Sequence, residues 1–335
     1  MRRAEITAGN KPFVVRKLSS VTLELNGLYN VTGLFGGHVN ERNVYTTSLE
    51  HGKFVIDTAR GASSHQANPF IALTAADTTE ENGRAYGIAL AYSGSFRIEA
   101  EADEHRNTRI VAGYNPETFS WPLGRKETLS APETAIVFSA EGLGGMSRAF
   151  ADTVRDYLIP EKFVHMPRPI VINNWESTYF DFNTDVLCAM LDRLKGLGID
   201  MFVLDDGWFG HRDDDRSSLG DWFVFDKKLP GGLEKVIAKA KDCGMRFGLW
   251  FEPEMISADS ELYRAHPDWL IRTPGRAPLT SRHQYILDFS RDEVVDNIFA
   301  QMEKTLAAYD ISYIKWDMNR HMCDMPDFVT QHKYI

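Results

Sequence analysis

Charged and amide side chains are concentrated near the end of the chain, in the stretch YIKWDMNR (313–320). On an extended strand, side chains two residues apart share a face, so Lys315, Asp317 and Asn319 are predicted to point to one side of a sheet. Buried charges of this kind persist when they are paired or when chemistry needs them. A carboxylate held ionised by a neighbouring lysine can attack an electrophilic carbon, which makes Asp317 a candidate nucleophile. The alternative is a buried lysine–aspartate ion pair that ties one strand to another.

Further carboxyl groups follow two earlier apolar runs. Asp205 and Asp206, in LDDGWFG (204–210), are adjacent like charges that need hydrogen-bond donors, and hydroxyl groups of a sugar are good donors. The alternative for this pair is a helix cap or a turn. Glu252, in FEPEM (251–255), fits either a second catalytic carboxyl group or an internal salt-bridge partner, and the spacing leaves both open. Two carboxyl groups flanking a bond, with tryptophans nearby, are typical of glycoside hydrolysis.

The acidic run HRDDDR (211–216) resembles a set of metal ligands, but it lacks the loop glycine and the final glutamate of an EF-hand. We therefore predict a solvated loop there. The histidines show neither HxxxH nor HExxH spacing, so a zinc site is not expected. The sequence predicts no metal site and no cofactor.

Residues 12–140 alternate between apolar and polar with a period of two, in short runs separated by Gly, Asn, Asp and Pro. This pattern predicts an all-β sandwich or barrel. The predicted strands cover 13–18, 21–25, 54–56, 70–73, 86–92, 96–100, 108–111 and 135–138. A helix is predicted over 144–157, from apolar residues at helical spacing. The three prolines of 159–169 argue against regular structure and indicate a linker, so we place a domain boundary near residue 165.

After the linker the pattern becomes strand, loop and helix in repetition. Strands are predicted at 170–175, 201–205 and 246–251, a fourth within 269–272 or 285–289, and a fifth at 311–316. Helices are predicted from residue 184, after the glycines of 230–232, and over 292–308. Strands that are apolar throughout and alternate with helices favour a parallel sheet covered by helices.

The strand ends distinguish an open nucleotide-binding sheet from a closed barrel. The sequence contains neither GxGxxG nor GxxxxGK[ST] at a strand–helix turn, which argues against the nucleotide-binding form. Polar residues instead follow several successive strands, as in the active site of a (β/α)8 barrel. The segment 167–335 is shorter than the about 250 residues of a complete barrel. We therefore expect a barrel with only part of its strands.

Composition narrows the classes of partner. The 335 residues include 37 basic and 47 acidic side chains, for a net charge of −10, with 43% hydrophobic residues. The charge gives no basic footprint for nucleic acid or an anionic membrane. The sequence contains neither a signal-peptide pattern nor a run of 18 apolar residues. We expect a soluble cytoplasmic protein with a neutral partner, and no binding of nucleic acid or membrane.

Taken together, these motifs resemble bacterial-type α-galactosidases of glycoside hydrolase family 36. The resemblance rests on LDDGWFG (204–210), GLWFEPEMIS (248–257), SRHQYILDFS (281–290) and YIKWDMNR (313–320), in matching order. The stretch RGASSHQANPF (60–70) is also similar to a segment of that family's N-terminal β-supersandwich. The resemblance implies a multidomain β plus α/β chain. Residues 1–160 would be the C-terminal part of the supersandwich with a connecting helix, and residues 161–335 the first five βα units of an incomplete (β/α)8 (TIM) barrel.

The resemblance also implies roles for individual residues. Asp317 would be the nucleophile of a retaining α-galactosidase, and the acid/base aspartate of the family, on a sixth strand, is expected to be absent from this chain. The residues implied to bind substrate are Asp205, Asp206, Trp175, Trp250, Arg282, Lys315 and Asn319.

We therefore expect part of an enzyme that hydrolyses terminal non-reducing α-D-galactosyl residues of oligosaccharides such as raffinose or melibiose. The chain alone is expected to show little or no turnover, because losing the proton transfer costs ~100- to 10,000-fold. The full-length form is expected to be a homo-oligomer, with a tetramer as one possibility. Two alternatives stay open: a galactoside-binding polypeptide without catalysis, and a related α-glycosidase such as an α-N-acetylgalactosaminidase.

Overall fold

The computed structural model describes residues 1–63, 66–117 and 119–323. Ser64 and His65, which belong to the 60–70 motif, lie outside the described residues. The chain forms two compact units, Met1–Met166 and Pro167–Ile335. Among the helices of the described residues, none combines the length and the apolar composition that a membrane span requires.

The first unit is built from antiparallel strands. They are β1 Glu5–Thr7, β2 Phe13–Val15, β3 Ser19–Asn26, β4 Asn30–Gly37, β5 Asn40–Ser48, β6 Gly52–Asp57, β7 Ala67–Thr74, β8 Ala85–Ala91, β9 Phe96–Ala102, β10 Asn107–Tyr114, β11 Trp121–Leu123, β12 Thr128–Ser130 and β13 Glu133–Ser139. One sheet has the order β3-β10-β9-β6 and another the order β13-β8-β7-β4-β5. Both contribute to one apolar cluster, which includes the fully buried Ile71, Ile88, Ile98 and Ile110. The prediction of an all-β sandwich is confirmed.

The sequence pattern missed the three-residue strands β1, β11 and β12, and also β4 and β5, which pair with each other from Asn30↔Ser48 to Gly37↔Asn40. Strand β5 is exposed along most of its length, so it carries no apolar alternation. Strand β4 contains three glycines, which are weak strand formers. Strand β5 is held mainly by its backbone pairing with β4, while β4 adds the fully buried Val31 to the core.

The predicted helix over 144–157 corresponds to α1 Gly142–Thr153, which continues as a π-helical turn at Val154–Leu158. The prediction that 159–169 lacks regular structure was wrong in part, because α2 Glu161–Val164 lies inside it. Pro160 stands at the N-cap of α2, where a missing N–H breaks no helical hydrogen bond.

The second unit contains strands and helices in alternation. They are β14 Val171–Asn173, α3 Trp175–Thr178, α4 Thr184–Leu194, β15 Met201–Leu204, α5 Glu234–Asp242, β16 Arg246–Phe251, β17 Met255–Ser257, α6 Glu261–Ala265, β18 Gln284–Ile286, α7 Asp292–Ala308 and β19 Tyr313–Trp316. A parallel sheet has the order β14-β15-β16-β19. Its strands pack against α4, α5 and α7 in one apolar cluster, which includes Leu204, Leu249, Leu187, Val236 and Val294. The parallel sheet covered by helices is confirmed.

The strand count differs from the prediction. The region predicted to hold a fourth strand forms β18, which pairs antiparallel with β17 in a separate two-stranded ribbon. Strand β18 is three residues long and its backbone pairs with β17, so it adds no strand to the parallel sheet. The described residues therefore supply four parallel barrel strands, not five, and Asp317 follows the fourth.

Candidate active site

The carboxyl ends of the four parallel strands meet at one edge of the sheet, because the strands are in register side by side. Asn173 pairs with Val203 across β14 and β15, and Phe251 pairs with Trp316 across β16 and β19. The residues that immediately follow β15, β16 and β19 are Asp205, Glu252 and Asp317. Three carboxyl groups that are far apart in sequence are thereby brought to the same edge, as expected for a barrel site.

Asp317 is held by several donors. Its backbone N–H donates to the Phe251 carbonyl at 2.9 Å. Its Oδ2 accepts hydrogen bonds from the Trp250 ring N–H at 3.0 Å and from the Asn319 amide at 2.7 Å. Its Oδ1 accepts only the Met318 backbone N–H, at 3.0 Å, among the residues the structure describes. One carboxylate oxygen is thus occupied by two donors, while the other keeps a free lone pair.

The predicted partner of Asp317, Lys315, forms its ion pair elsewhere. Lys315 Nζ lies 2.7 Å from Asp205 Oδ2, so it ties the end of β19 to the end of β15. The expectation that Lys315 pairs with Asp317 was therefore wrong, and the lysine instead forms the ion pair between strands that the sequence offered as the alternative. The reason is geometric, because the sheet places the end of β15 within reach of the lysine and the sequence cannot show which aspartate lies nearer.

Asp205 has two further partners that the sequence did not indicate. The Asn173 side-chain amide donates to Asp205 Oδ2, and the Asn174 side-chain oxygen accepts the Asp205 backbone N–H at 2.8 Å. Asp205 and Asn174 are both buried. The only sequence signal for this role is a pair of adjacent amides at the end of an apolar strand.

Asp206 forms a two-point ion pair with Arg212. Arg212 Nε donates to Oδ1 at 2.5 Å and Nη2 donates to Oδ2 at 2.8 Å. Arg212 is only 1% exposed, so the prediction of a solvated loop at 211–216 was wrong for this residue. Burial raises the pKa of Asp206, and the Arg212 guanidinium opposes that rise. Lys228, whose pKa is lowered by burial, donates to the Arg212 carbonyl at 2.7 Å.

The two tryptophans differ in environment. Trp250 is 1% exposed and its ring stacks on Phe209, with ring centroids 6.0 Å apart, so only its N–H edge serves the site, through Asp317. Trp175 is half-buried, is the first residue of α3, and packs edge to face with Phe180. Whether Trp175 contacts a sugar stays a prediction.

Arg282 is exposed and is not linked to the Asp205–Asp317 cluster by any contact in the described part of the chain. Arg282 and His283 have φ values of 52° and 59°, a left-handed backbone that costs a non-glycine residue free energy. The role of Arg282 in binding stays a prediction. In the same described residues, no group of three or more His, Cys, Asp or Glu side chains is placed to hold a metal ion.

Glu252 follows β16, the strand that pairs with β19, and is completely buried. Its Oε1 accepts the Asn319 backbone N–H at 2.5 Å, and its Oε2 accepts the Gln284 side-chain amide at 3.0 Å. Burial raises the pKa of Glu252 to about 7, and the negative charge of Asp317 adds to the rise. Both partners are neutral, so the internal salt bridge that the sequence left open is not formed among the described residues.

Comparison with known families assigns both parts of the chain. Residues 1–124 match the glycosyl hydrolase family 36 N-terminal domain, and residues 128–334 match the Melibiase family. The chain therefore belongs to the melibiase family of glycosyl hydrolases, within family 36.

Individual relatives are similar over nearly the whole chain. It is 48% identical over 318 residues to α-galactosidase Mel36A of Lactobacillus acidophilus, covering 95% of this chain and 43% of that protein. It is 43% identical to α-galactosidase AgaA of Geobacillus stearothermophilus, covering 96% of this chain and 44% of the relative.

The solved structures agree with the sequence comparison. The galactosidase domain of AgaSK superposes with a TM-score of 0.93 at 46% identity, covering 96% of this chain and 45% of that chain. Variants of Geobacillus stearothermophilus AgaA have been solved in complex with raffinose, at a TM-score of 0.93, and with stachyose, at 0.94. Our chain spans less than half the length of these relatives.

Proposed function

We propose that the protein is a retaining α-galactosidase in which Asp317 is the nucleophile. The observation that carries the proposal is the placement of Asp317 at the carboxyl end of β19, with Oδ2 held by Trp250 and Asn319 and Oδ1 left with a free lone pair. The similarity to α-galactosidases over 95% of the chain supports the same assignment.

In the proposed reaction, Asp317 Oδ1 attacks the anomeric carbon and forms a glycosyl ester, which water then hydrolyses. Each attack inverts the anomeric carbon, so the released galactose keeps the α configuration. The leaving oxygen must be protonated by a separate acid, and we expect that acid to lie outside the residues named above. Trp250 and Asn319 fix the attacking carboxylate in one orientation, which lowers the cost of reaching the attack geometry.

The same edge of the sheet supplies the proposed sugar-binding groups. Asp205 and Asp206 each have their charge balanced by a cation, Lys315 and Arg212, yet a carboxylate offers about four lone-pair sites. The remaining sites can accept hydroxyl groups of galactose. We propose raffinose and related α-galactosyl oligosaccharides as substrates of this protein, because variants of a relative have been solved in complex with raffinose and stachyose. Cytoplasmic location and a homo-oligomeric, tetramer-capable full-length form stay predictions.

The test is hydrolysis of an aryl α-galactoside by the full-length gene product. Asp317→Asn is expected to lower kcat about 1,000-fold or more, because the covalent route is lost. Asp310→Asn, which changes an exposed acid just before the same strand, is the matched control and is expected to retain activity. An active Asp317→Asn variant, or a first product in the β configuration by NMR, contradicts the proposal.

Two comparisons test the alternatives. Residues 1–335 alone, assayed beside the full-length product, are expected to be at least ~100-fold slower if the acid is supplied elsewhere. Equal rates would show that the chain contains its own proton donor. Faster hydrolysis of an aryl α-N-acetylgalactosaminide than of the galactoside would favour the related α-glycosidase. Calorimetric binding of galactose without turnover would favour a binding protein.

A further inference from the structure

A ring of hydrogen bonds connects the loop that carries Asp317 to the end of β16. Asn319 donates its side-chain amide to Asp317 and its backbone N–H to Glu252. Glu252 accepts a second hydrogen bond from Gln284 on β18. Arg320 Nη1 closes the ring by donating to the Gln284 carbonyl at 2.6 Å.

Three members of this ring are buried. Glu252 is 0% exposed, Gln284 1% and Arg320 5%. A group with no exposure cannot contact a sugar, so Glu252 can influence a reaction only through its neighbours. The Gln284 Oε1 atom has no partner in the described part of the chain. The hydrogen bond that the Gln284 side chain makes there is therefore the one it donates to Glu252.

We propose that Glu252 is a positioning residue for the nucleophile, acting through Asn319, and that its protonation state tunes the reactivity of Asp317. The proposal rests on the proposed function, since it assigns Glu252 to the same reaction. It separates Glu252 from the neighbouring acid Glu254, which is only half-buried, accepts the Trp316 ring N–H at 3.0 Å and 3.2 Å, and has no bond to Asn319 in the described part of the chain.

Burial and the charges that face Glu252 set its proton affinity. Burial is the main reason that the pKa of Glu252 is raised to about 7; the Asn319 N–H opposes the rise, and the negative charges of Asp317 after β19 and Asp206 after β15 add to it. Glu252 is therefore mostly protonated at pH 6 and mostly ionised at pH 8. An ionised Glu252 repels an ionised Asp317, and that repulsion fades as Asp317 becomes an ester.

The direction of the pH effect follows from this change in charge. Attack by Asp317 removes its negative charge and creates positive charge on the sugar. An ionised Glu252 favours both changes, so formation of the glycosyl ester is faster when Glu252 is ionised. We expect the rate of that step to rise with pH through about 7.

The experiment uses the full-length gene product and a dinitrophenyl α-galactoside, whose leaving group departs without a proton. In the wild type, kcat/KM is expected to rise with pH between 6 and 8. Glu252→Gln is expected to remove this rise. It should also lower kcat about tenfold, because Asn319 loses its charged acceptor and holds Asp317 less firmly, while KM changes by no more than about twofold. Glu254→Gln, the matched control, is expected to keep the rise.

A second variant keeps the inference testable if Glu252→Gln does not fold. Gln284→Leu leaves Glu252 in place and removes one donor to it, which disfavours the ionised form and should move the rise to higher pH. A Glu252→Gln variant that retains the rise, or a Gln284→Leu variant in which the rise does not move, overturns the inference. An inactive wild type, or an active Asp317→Asn variant, defeats the proposed function instead, so the two failures are distinguishable.

Discussion

At the scale of single residues, the site is a set of polar groups that mainly satisfy one another. Asp205 is balanced by Lys315, Asp206 by Arg212, and Asp317 is oriented by Trp250 and Asn319. Such groups are costly to bury alone, so each partner matters beyond its own contact.

The indole N–H of Trp250 is predicted to contribute to the proposed hydrolysis. Trp250→Phe removes the hydrogen bond to Asp317 Oδ2 and should lower kcat roughly 10- to 100-fold, since bonds to charged groups contribute about 1.5–3 kcal/mol. Trp222→Phe is the matched control, because Trp222 lies in the same aromatic cluster and its ring N–H has no partner in the described residues. Equal losses in the two variants would assign the effect to packing.

The Asp206–Arg212 pair is predicted to matter for stability. Arg212→Met leaves Asp206 buried without its cation and should lower the free energy of unfolding by about 3–5 kcal/mol, measured in urea near neutral pH. Burial then raises the Asp206 pKa further, and such a group contributes stability at low pH that is lost as pH rises through the folded-state pKa. The loss should therefore shrink on acidification.

An exposed pair is the control for this prediction. Arg264→Met breaks the ion pair with Asp259, in which both side chains are more than half exposed, and should change stability little. A small loss for Arg212→Met, or one that grows on acidification, would show that the buried pair is not what stabilises this loop.

At the scale of elements, the parallel sheet assembles the site and the packing of helices on sheets maintains it. Strands β14, β15, β16 and β19 bring residues more than 140 positions apart to one edge. In the first unit, α1 packs Met146 and Phe150 over Ala72 and Ala85 of the β-sheet. This contact depends on the absence of a side chain at Gly87.

Gly87→Ala is predicted to destabilise the first unit. An added Cβ would overlap the Phe150 ring and lie 2.9 Å from Met146 Sδ, and overpacking of this kind costs about 1–3 kcal/mol. Gly9→Ala is the control, because a Cβ there meets no atom within 4 Å. Thermal unfolding of the two variants measures the difference, and equal melting temperatures would show that α1 shifts without cost.

At the scale of the whole molecule, each compact unit has its own apolar core. The clusters around Ile88, Leu123 and Val137 draw on residues of Met1–Met166, while the cluster around Leu249 draws on residues of the second unit. A unit with its own core can fold independently.

Residues 1–166, expressed alone, are therefore predicted to unfold cooperatively. The expected result is a single urea transition that coincides when followed by far-ultraviolet circular dichroism and by tryptophan fluorescence, the latter reporting on Trp121. Gly87→Ala in this shortened chain should shift the same transition to lower urea. A gradual loss of signal with urea, without a folded-state baseline, would contradict the prediction that residues 1–166 fold independently.

The sequence by itself determined the all-β first part, the parallel strands of the second and the candidate nucleophile, because burial periodicity and polar strand ends are local signals. It missed β1, β11 and β12, which are three residues long, as well as the glycine-rich β4 and the exposed β5, and it counted a fifth barrel strand where β18 forms a ribbon with β17. Only the tertiary structure decided that Lys315 pairs with Asp205, that Arg212 is buried against Asp206, and that Glu252 holds Asn319. Those partners lie on separate strands and loops, and distances between them are set by the register of the sheet.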